Sequence, residues 1–220
     1  MDGLININGD SVQTLQILFL TTLITLLPSL LVMMTSFTRY VVVFSFLRSA
    51  MGTQQTPPNM VLVGMAIFLT LFTMSPVISD IQTNAYEPYL EEQITQEEFF
   101  SRAQVPLKNF MLRNTEPAAV NMFCDLAGID APADADEAMA LPMRVVIPSF
   151  MTTELKRAFE IGFFLYLPFM LIDIVVSSTL MSMGMIMLPP SMISMPFKLL
   201  LFITINGWEL LFSTLVQGFQ

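Results

Sequence analysis

Apolar residues in this chain run in long blocks, and polar residues gather into a few short breaks and one central segment. No charge interrupts Ser11 to Thr38 or Ser49 to Ser79, and Asp173 alone interrupts Ile161 to Phe197. Runs of ~18 or more such residues exceed what a soluble core helix needs and match a bilayer span. Two of the breaks share a layout. Met51-Gly52-Thr53-Gln54-Gln55-Thr56-Pro57-Pro58-Asn59-Met60 and Met183-Gly184-Met185-Ile186-Met187-Leu188-Pro189-Pro190-Ser191-Met192 both set a Gly five residues before a Pro-Pro pair and a Met two residues after it. Proline does not suit a helix interior, and the residue before it avoids the α region. Each block therefore predicts a helix, a tight loop entered through glycine, and a returning helix.

The first predicted hairpin runs from Val12 to Leu47, kinks at Pro28, turns through Gly52 to Asn59, and returns from Met60 to Ile78 with Pro76 near its end. The second begins near Phe150. Its first helix spans Thr152 to Met183 with a kink at Pro168, and its second spans Pro196 to Gln217. Between them lies a segment with soluble helix punctuation. Thr95-Gln96-Glu97-Glu98 is a capping box. Leu107, Phe110 and Met111 repeat at helical spacing, with Pro106 starting or kinking that helix. Glu116-Pro117 opens a short helix that Gly128 closes. Asp130 to Leu141, rich in Ala, Asp and Pro, predicts a flexible acidic loop. The expected fold is all-α, in three parts: a hydrophobic hairpin over 1–79, an acidic helical segment outside the membrane over 80–149, and a hydrophobic hairpin with a Met-rich loop over 150–220.

Composition supports a membrane reading over a soluble core. Of 220 residues 54% are hydrophobic and only 12% charged, about half the usual charged share. Net charge is −9, and the stretch from Asp80 to Phe150 holds twelve acids against four bases. No basic face exists for nucleic acid. With one cysteine, Cys124, no intrachain disulfide is possible, and the absence of histidine removes the commonest general base and metal ligand. There is no P-loop and no nucleophile–base pair, so an enzyme reading has no support and no cofactor is expected. Met1-Asp2 lacks the basic region of a secretory signal, which leaves an already processed chain or a first helix that itself targets the membrane. Arg39 and Arg48 flank the first loop. The positive-inside tendency puts that loop in the cytoplasm and the acidic segment on the outer side.

Two groups of residues carry candidate chemistry. Met181, Met183, Met185, Met187, Met192 and Met195 cluster around the second loop. Their alternate spacing suits a loop or ring better than one helix face. They could seal a pore, pack against lipid or core, or bind copper through thioethers. Glu154, Glu160, Asp173, Lys198 and Glu209 are charges in or beside apolar helices, where an unpaired charge at the bilayer centre costs roughly 2.5–3.5 kcal/mol. Lys198 is the only base between Arg157 and the C-terminal end. It either pairs with an acid or snorkels to water.

The order of motifs is recognisable. Ile147-Pro148-Ser149-Phe150-Met151-Thr152-Thr153-Glu154-Leu155-Lys156-Arg157-Ala158-Phe159-Glu160-Ile161-Gly162-Phe163, Leu167-Pro168-Phe169-Met170-Leu171-Ile172-Asp173, the second Pro-Pro block and Met195-Pro196-Phe197-Lys198-Leu199 follow one another. Met33-Met34-Thr35-Ser36-Phe37-Thr38-Arg39, Pro57-Pro58-Asn59 and Met74-Ser75-Pro76-Val77-Ile78 precede them. Over nearly its whole length the chain resembles the FliP family of flagellar and virulence type III export gates. That resemblance implies a bacterial inner-membrane protein of the flagellar basal body. It implies a homo-oligomer, a pentamer, built with FliQ and FliR beside FlhB and FlhA, and a narrow pore that passes unfolded flagellar subunits. Met185, Ile186 and Met187 match the gasket that closes the pore. Ile186 departs from a frequent Met but remains apolar. Glu154 and Lys198 match positions that pair between adjacent subunits, with Asp173 as the alternative partner within the chain. Family complexes can also sit above the membrane plane, so hairpins of spanning length can bury against neighbouring subunits instead. The competing reading from another class is a small-solute or ion transporter built on two repeated hairpins.

Overall fold

The computed structural model describes residues 4–7, 10–13, 32–53, 55–185 and 187–219, with Leu18, Thr21, Thr22, Thr25 and Ser29 as single positions. A short antiparallel hairpin, β1 (Leu4–Ile7) with β2 (Asp10–Gln13), pairs Leu4 with Gln13 and Ile7 with Asp10. Val12, the expected start of the first apolar helix, therefore lies in a strand. The expected kink at Pro28 falls outside the described residues. The other described elements are helical: α1 (Phe37–Met51), α2 (Asn59–Thr73), α3 (Ser75–Ile81), a π-helical turn (Gln82–Tyr86), α4 (Glu87–Leu90), α5 (Gln96–Arg113), α6 (Pro117–Ala127), α7 (Ala135–Ala140), α8 (Met143–Ser182), α9 (Pro190–Thr204) and α10 (Gly207–Gln217).

Local chemistry accounts for most helix ends. Gly52, Gly128 and Gly184 adopt left-handed φ values of 75°, 66° and 74°, which a Cβ disfavours. At two of them the backbone closes a Schellman motif. Ile129 N–H donates to the Cys124 carbonyl and Gly128 N–H to that of Asp125. Met185 N–H donates to Leu180 and Gly184 N–H to Met181. The capping box forms at Thr95, whose hydroxyl accepts from Glu98 N–H while the Glu98 carboxylate accepts from Thr95 N–H. Pro106 lies inside α5 and does not start it.

Several expected elements change. The helix expected from Met60 to Ile78 breaks at Met74, and the axes on either side differ by 59°. Pro76 has no N–H to give to the Phe72 carbonyl, so the ladder stops and restarts with the proline in a first turn. The last helix starts at Pro190, not Pro196, and breaks by 63° at Asn206, whose φ is 51°. A Cβ on Gly207 would stand 2.3 Å from the Phe202 ring, so only glycine admits that ring. Part of the expected flexible loop from Asp130 to Leu141 is α7, capped when Asp134 accepts from Glu137 N–H. The Lys108 ammonium donates to the Met139 and Leu141 carbonyls at its C-terminal end, where a cation complements the helix dipole. Finally, α8 starts at Met143, so one continuous helix crosses the expected boundary at 149/150.

Two apolar cores result. One joins α1, α2, α8, α9 and α10 through Tyr40, Phe44, Leu47, Ala158, Phe169 and Leu215. The other joins α5, α6 and the start of α8 through Phe110, Met111, Val120, Cys124, Val146 and Phe150. Phe219 packs against both. Contact between α1 and α8 is close at Gly162, where an added Cβ would lie 2.5 Å from the Phe46 ring. Among the described residues, helix α8 alone is long and apolar enough to cross a membrane. The bent pairs α2 with α3–α4, and α9 with α10, qualify only if each pair is one span.

Candidate functional site

Helix α8 carries three features in order along its length: a buried ion pair, a half-open polar clamp and the methionine loop. The ion pair is Glu154 with Arg39 of α1. Arg39 Nε donates to Glu154 Oε2 at 2.8 Å and Nη2 to Oε1 at 2.6 Å. This is the bidentate fork that a guanidinium makes with a carboxylate. Both side chains are almost fully buried. Arg39 Nη1 donates to the Gly218 carbonyl at 3.0 Å, and the Phe219 ring lies 3.5 Å from the guanidinium carbon. Arg157 stands 3.9 Å from Glu154, one turn along α8.

The clamp joins α8 to α9 and to the end of α1. Lys198 Nζ donates to Asp173 Oδ2 at 2.6 Å and to the Ala50 carbonyl at 3.0 Å. Ser194 Oγ donates to Asp173 Oδ1 at 2.6 Å. Lys198 is buried, while the Asp173 side chain keeps 37% of its surface exposed.

Glu154 and Lys198 are thus not brought together within the chain. Within the chain each has another partner, Arg39 for Glu154 and Asp173 for Lys198. Of the two α1 cations that flank the first loop in sequence, Arg39 is buried in its ion pair with Glu154 and Arg48 bonds to Asn59. An arginine inside an apolar helix requires a counterion, and that was the available signal for this pair. Glu160 and Glu209 are exposed.

The second loop leaves α8 through the Schellman turn at Gly184 and enters α9 at Pro190, where a first-turn proline is tolerated. Met187 is 98% exposed, and Met181, Met183, Met185 and Met192 are also exposed. Ile186 lies outside the described residues.

Known proteins match this chain along most of its length. The model of the FliP family matches residues 20–215. The chain belongs to the FliP family. Both ion pairs and the methionine loop lie within the matched residues, whereas Gly218 and Phe219 lie beyond them. Among similar proteins is the flagellar biosynthetic protein FliP of Aquifex aeolicus, 49% identical over 96% of this chain and 88% of the relative. Flagellar biosynthetic protein FliP of Pectobacterium carotovorum is 48% identical over 96% and 82%. That of Bacillus subtilis is 44% identical over 94% and 92%.

Proposed function

We propose that this FliP-family chain is a membrane-embedded structural component of the flagellar protein-export apparatus, not an enzyme. Several copies form a ring, a pentamer, with FliQ and FliR and beside FlhB and FlhA in the inner membrane, and unfolded flagellar subunits pass through its centre. The acidic segment lies on the periplasmic side. Met185, Ile186 and Met187 of each copy close the pore. One observation carries this reading. The loop between α8 and α9 holds its methionines out of both cores, with Met187 exposed at the tip. An exposed thioether is poorly placed for packing in one chain and well placed to meet its equivalents from other copies. A hydrophobic constriction excludes water and ions without a charged gate, and flexible methionines can part around a passing polypeptide. The relatives are named for flagellar biosynthesis, which an exporter of flagellar subunits fits better than a solute transporter.

Replacing Met185, Ile186 and Met187 together with Ala tests the seal. The assembled complex should leak ions and sensitise cells to small molecules. An assembled variant that stays tight places the closure elsewhere. Native mass spectrometry after mild detergent extraction tests the ring, and a monodisperse monomer as the sole species would sink it.

A further inference from the structure

Exposed apolar surface on α8 and α9 has lipid or neighbouring helices to cover it. A second apolar patch, on the acidic segment, is of another kind. The chain from Asp80 to Ser101 carries six acids and no base. It folds as the end of α3, the π-helical turn, α4, a sharp bend and the start of α5. Phe99 forms the floor of a small aromatic cluster, 5.2 Å from the Tyr89 ring and 5.3 Å from Phe100. Tyr86, Tyr89, Leu90 and Phe100 are exposed, the last two by 61% and 60%.

Glu87, Glu91, Glu92, Glu97 and Glu98 flank these residues in sequence and are all exposed. None of them forms an ion pair among the described residues. The patch is held in shape. Glu92, at φ 57°, ends α4 with Gln93 N–H donating to the Pro88 carbonyl and Glu92 N–H to that of Tyr89. The capping box fixes the start of α5 directly opposite in sequence.

Lipid does not suit this surface, because carboxylates beside it are costly to place in hydrocarbon. In a ring the patch would meet a different face of the next copy, and the segment from Asp80 to Phe150, with twelve acids against four bases, offers no basic face there. A surface with an apolar centre and a negative rim fits a partner with an apolar stripe and a positive rim. We propose that the 86–100 patch docks a basic amphipathic helix of another protein. The helix lays its apolar face on Tyr89, Leu90 and Phe100, and its Lys or Arg residues face Glu91, Glu92 and Glu97.

The test uses the full-length protein in its native membrane with a photoreactive benzoylphenylalanine at position 100. Adducts should map to a single amphipathic peptide of net positive charge. The variant Glu91→Lys, Glu92→Lys, Glu97→Lys leaves the capping box intact and should cut adduct yield about tenfold or more. Purified protein in neutral-lipid nanodiscs should bind a helix-forming Leu/Lys peptide, more weakly at high salt, and not its Leu/Glu counterpart. Four outcomes overturn the proposal: adducts with a second copy, adducts with lipid alone, adducts with an acidic or uncharged segment, and no adduct. Equal binding of the two peptides, or charge reversal without effect, also overturns it.

Discussion

Two of the ion pairs that tie α8 to its neighbours have a buried member, and they are built differently. Arg39–Glu154 is closed on all sides. It is bidentate, backed by a backbone carbonyl and roofed by the Phe219 ring. Lys198–Asp173 is open on one side, a point-charge cation buried under a carboxylate that keeps 37% of its surface exposed. Arginine suits the first place because its planar fork meets a carboxylate with two parallel bonds. Lysine suits the second because its donors can also reach Ser194's partner Asp173 and the Ala50 carbonyl. The closed pair joins two helices within one folded unit. The open pair lies between the first loop and the helices that lead into the methionine loop, where a carboxylate edge remains accessible.

That difference predicts a graded response. Arg39→Met leaves the Glu154 carboxylate buried without its main partner and should cost about 3–5 kcal/mol. The double variant Arg39→Met, Glu154→Leu should recover much of that, because two apolar side chains of similar size need no solvation. Thermal unfolding in detergent measures both, and equal losses for single and double variants would refute the closed-pair description.

Phe219→Ala comes next. It removes the guanidinium roof, a stack on Phe110 at 5.8 Å and an edge contact with Tyr40 at 5.7 Å. The expected cost is about 2 kcal/mol. The same variant in an Arg39→Met background should cost measurably less, since the cation is gone.

Lys198→Ala should cost about 1 kcal/mol, nearer the surface-pair range than the buried one, because water can solvate the freed Asp173. Its readout is the melting transition beside that of Arg39→Met. A loss as large as for Arg39→Met would show that Asp173 is sealed off from water in the assembled protein.

The smallest effect belongs to the exposed pair Lys156–Glu116, at 2.8 Å. The hydrogen bond from the Lys156 ammonium holds the Glu116 carboxyl below its ordinary pKa. Its contribution is therefore present above the unfolded carboxyl value and is lost as pH falls through the lower folded value. An acid titration of the melting transition should show a slight extra loss that Glu116→Gln and added salt both erase.

Where a rule is local, the sequence spoke clearly. The capping box at Thr95, the start at Glu116-Pro117 and the stop at Gly128 each depend on a few neighbouring residues, and each forms. The closed ion pair depends on positions 115 apart, and no periodicity links them. The breaks at Met74 and Asn206 escaped for a similar reason. Uncharged residues continue through both, and at the second the Phe202 ring packs where only Gly207 can accommodate it. The start of α8 at Met143 was hidden by Pro148, which the helix carries inside it. Exposure of Met187 could be argued from spacing alone, but the partners of Lys198 could not be told apart by it.

The length of α8 has its own mechanical meaning. Forty residues at about 1.5 Å each make a rod of about 60 Å, roughly twice the thickness of a bilayer's oily interior. Such a rod cannot be hidden in one membrane unless it lies nearly flat. One end is clasped by the acidic segment's core, and the other opens into the methionine loop. A tug on the first end is therefore delivered to the second without passing through any joint in the backbone except the prolines at 148 and 168.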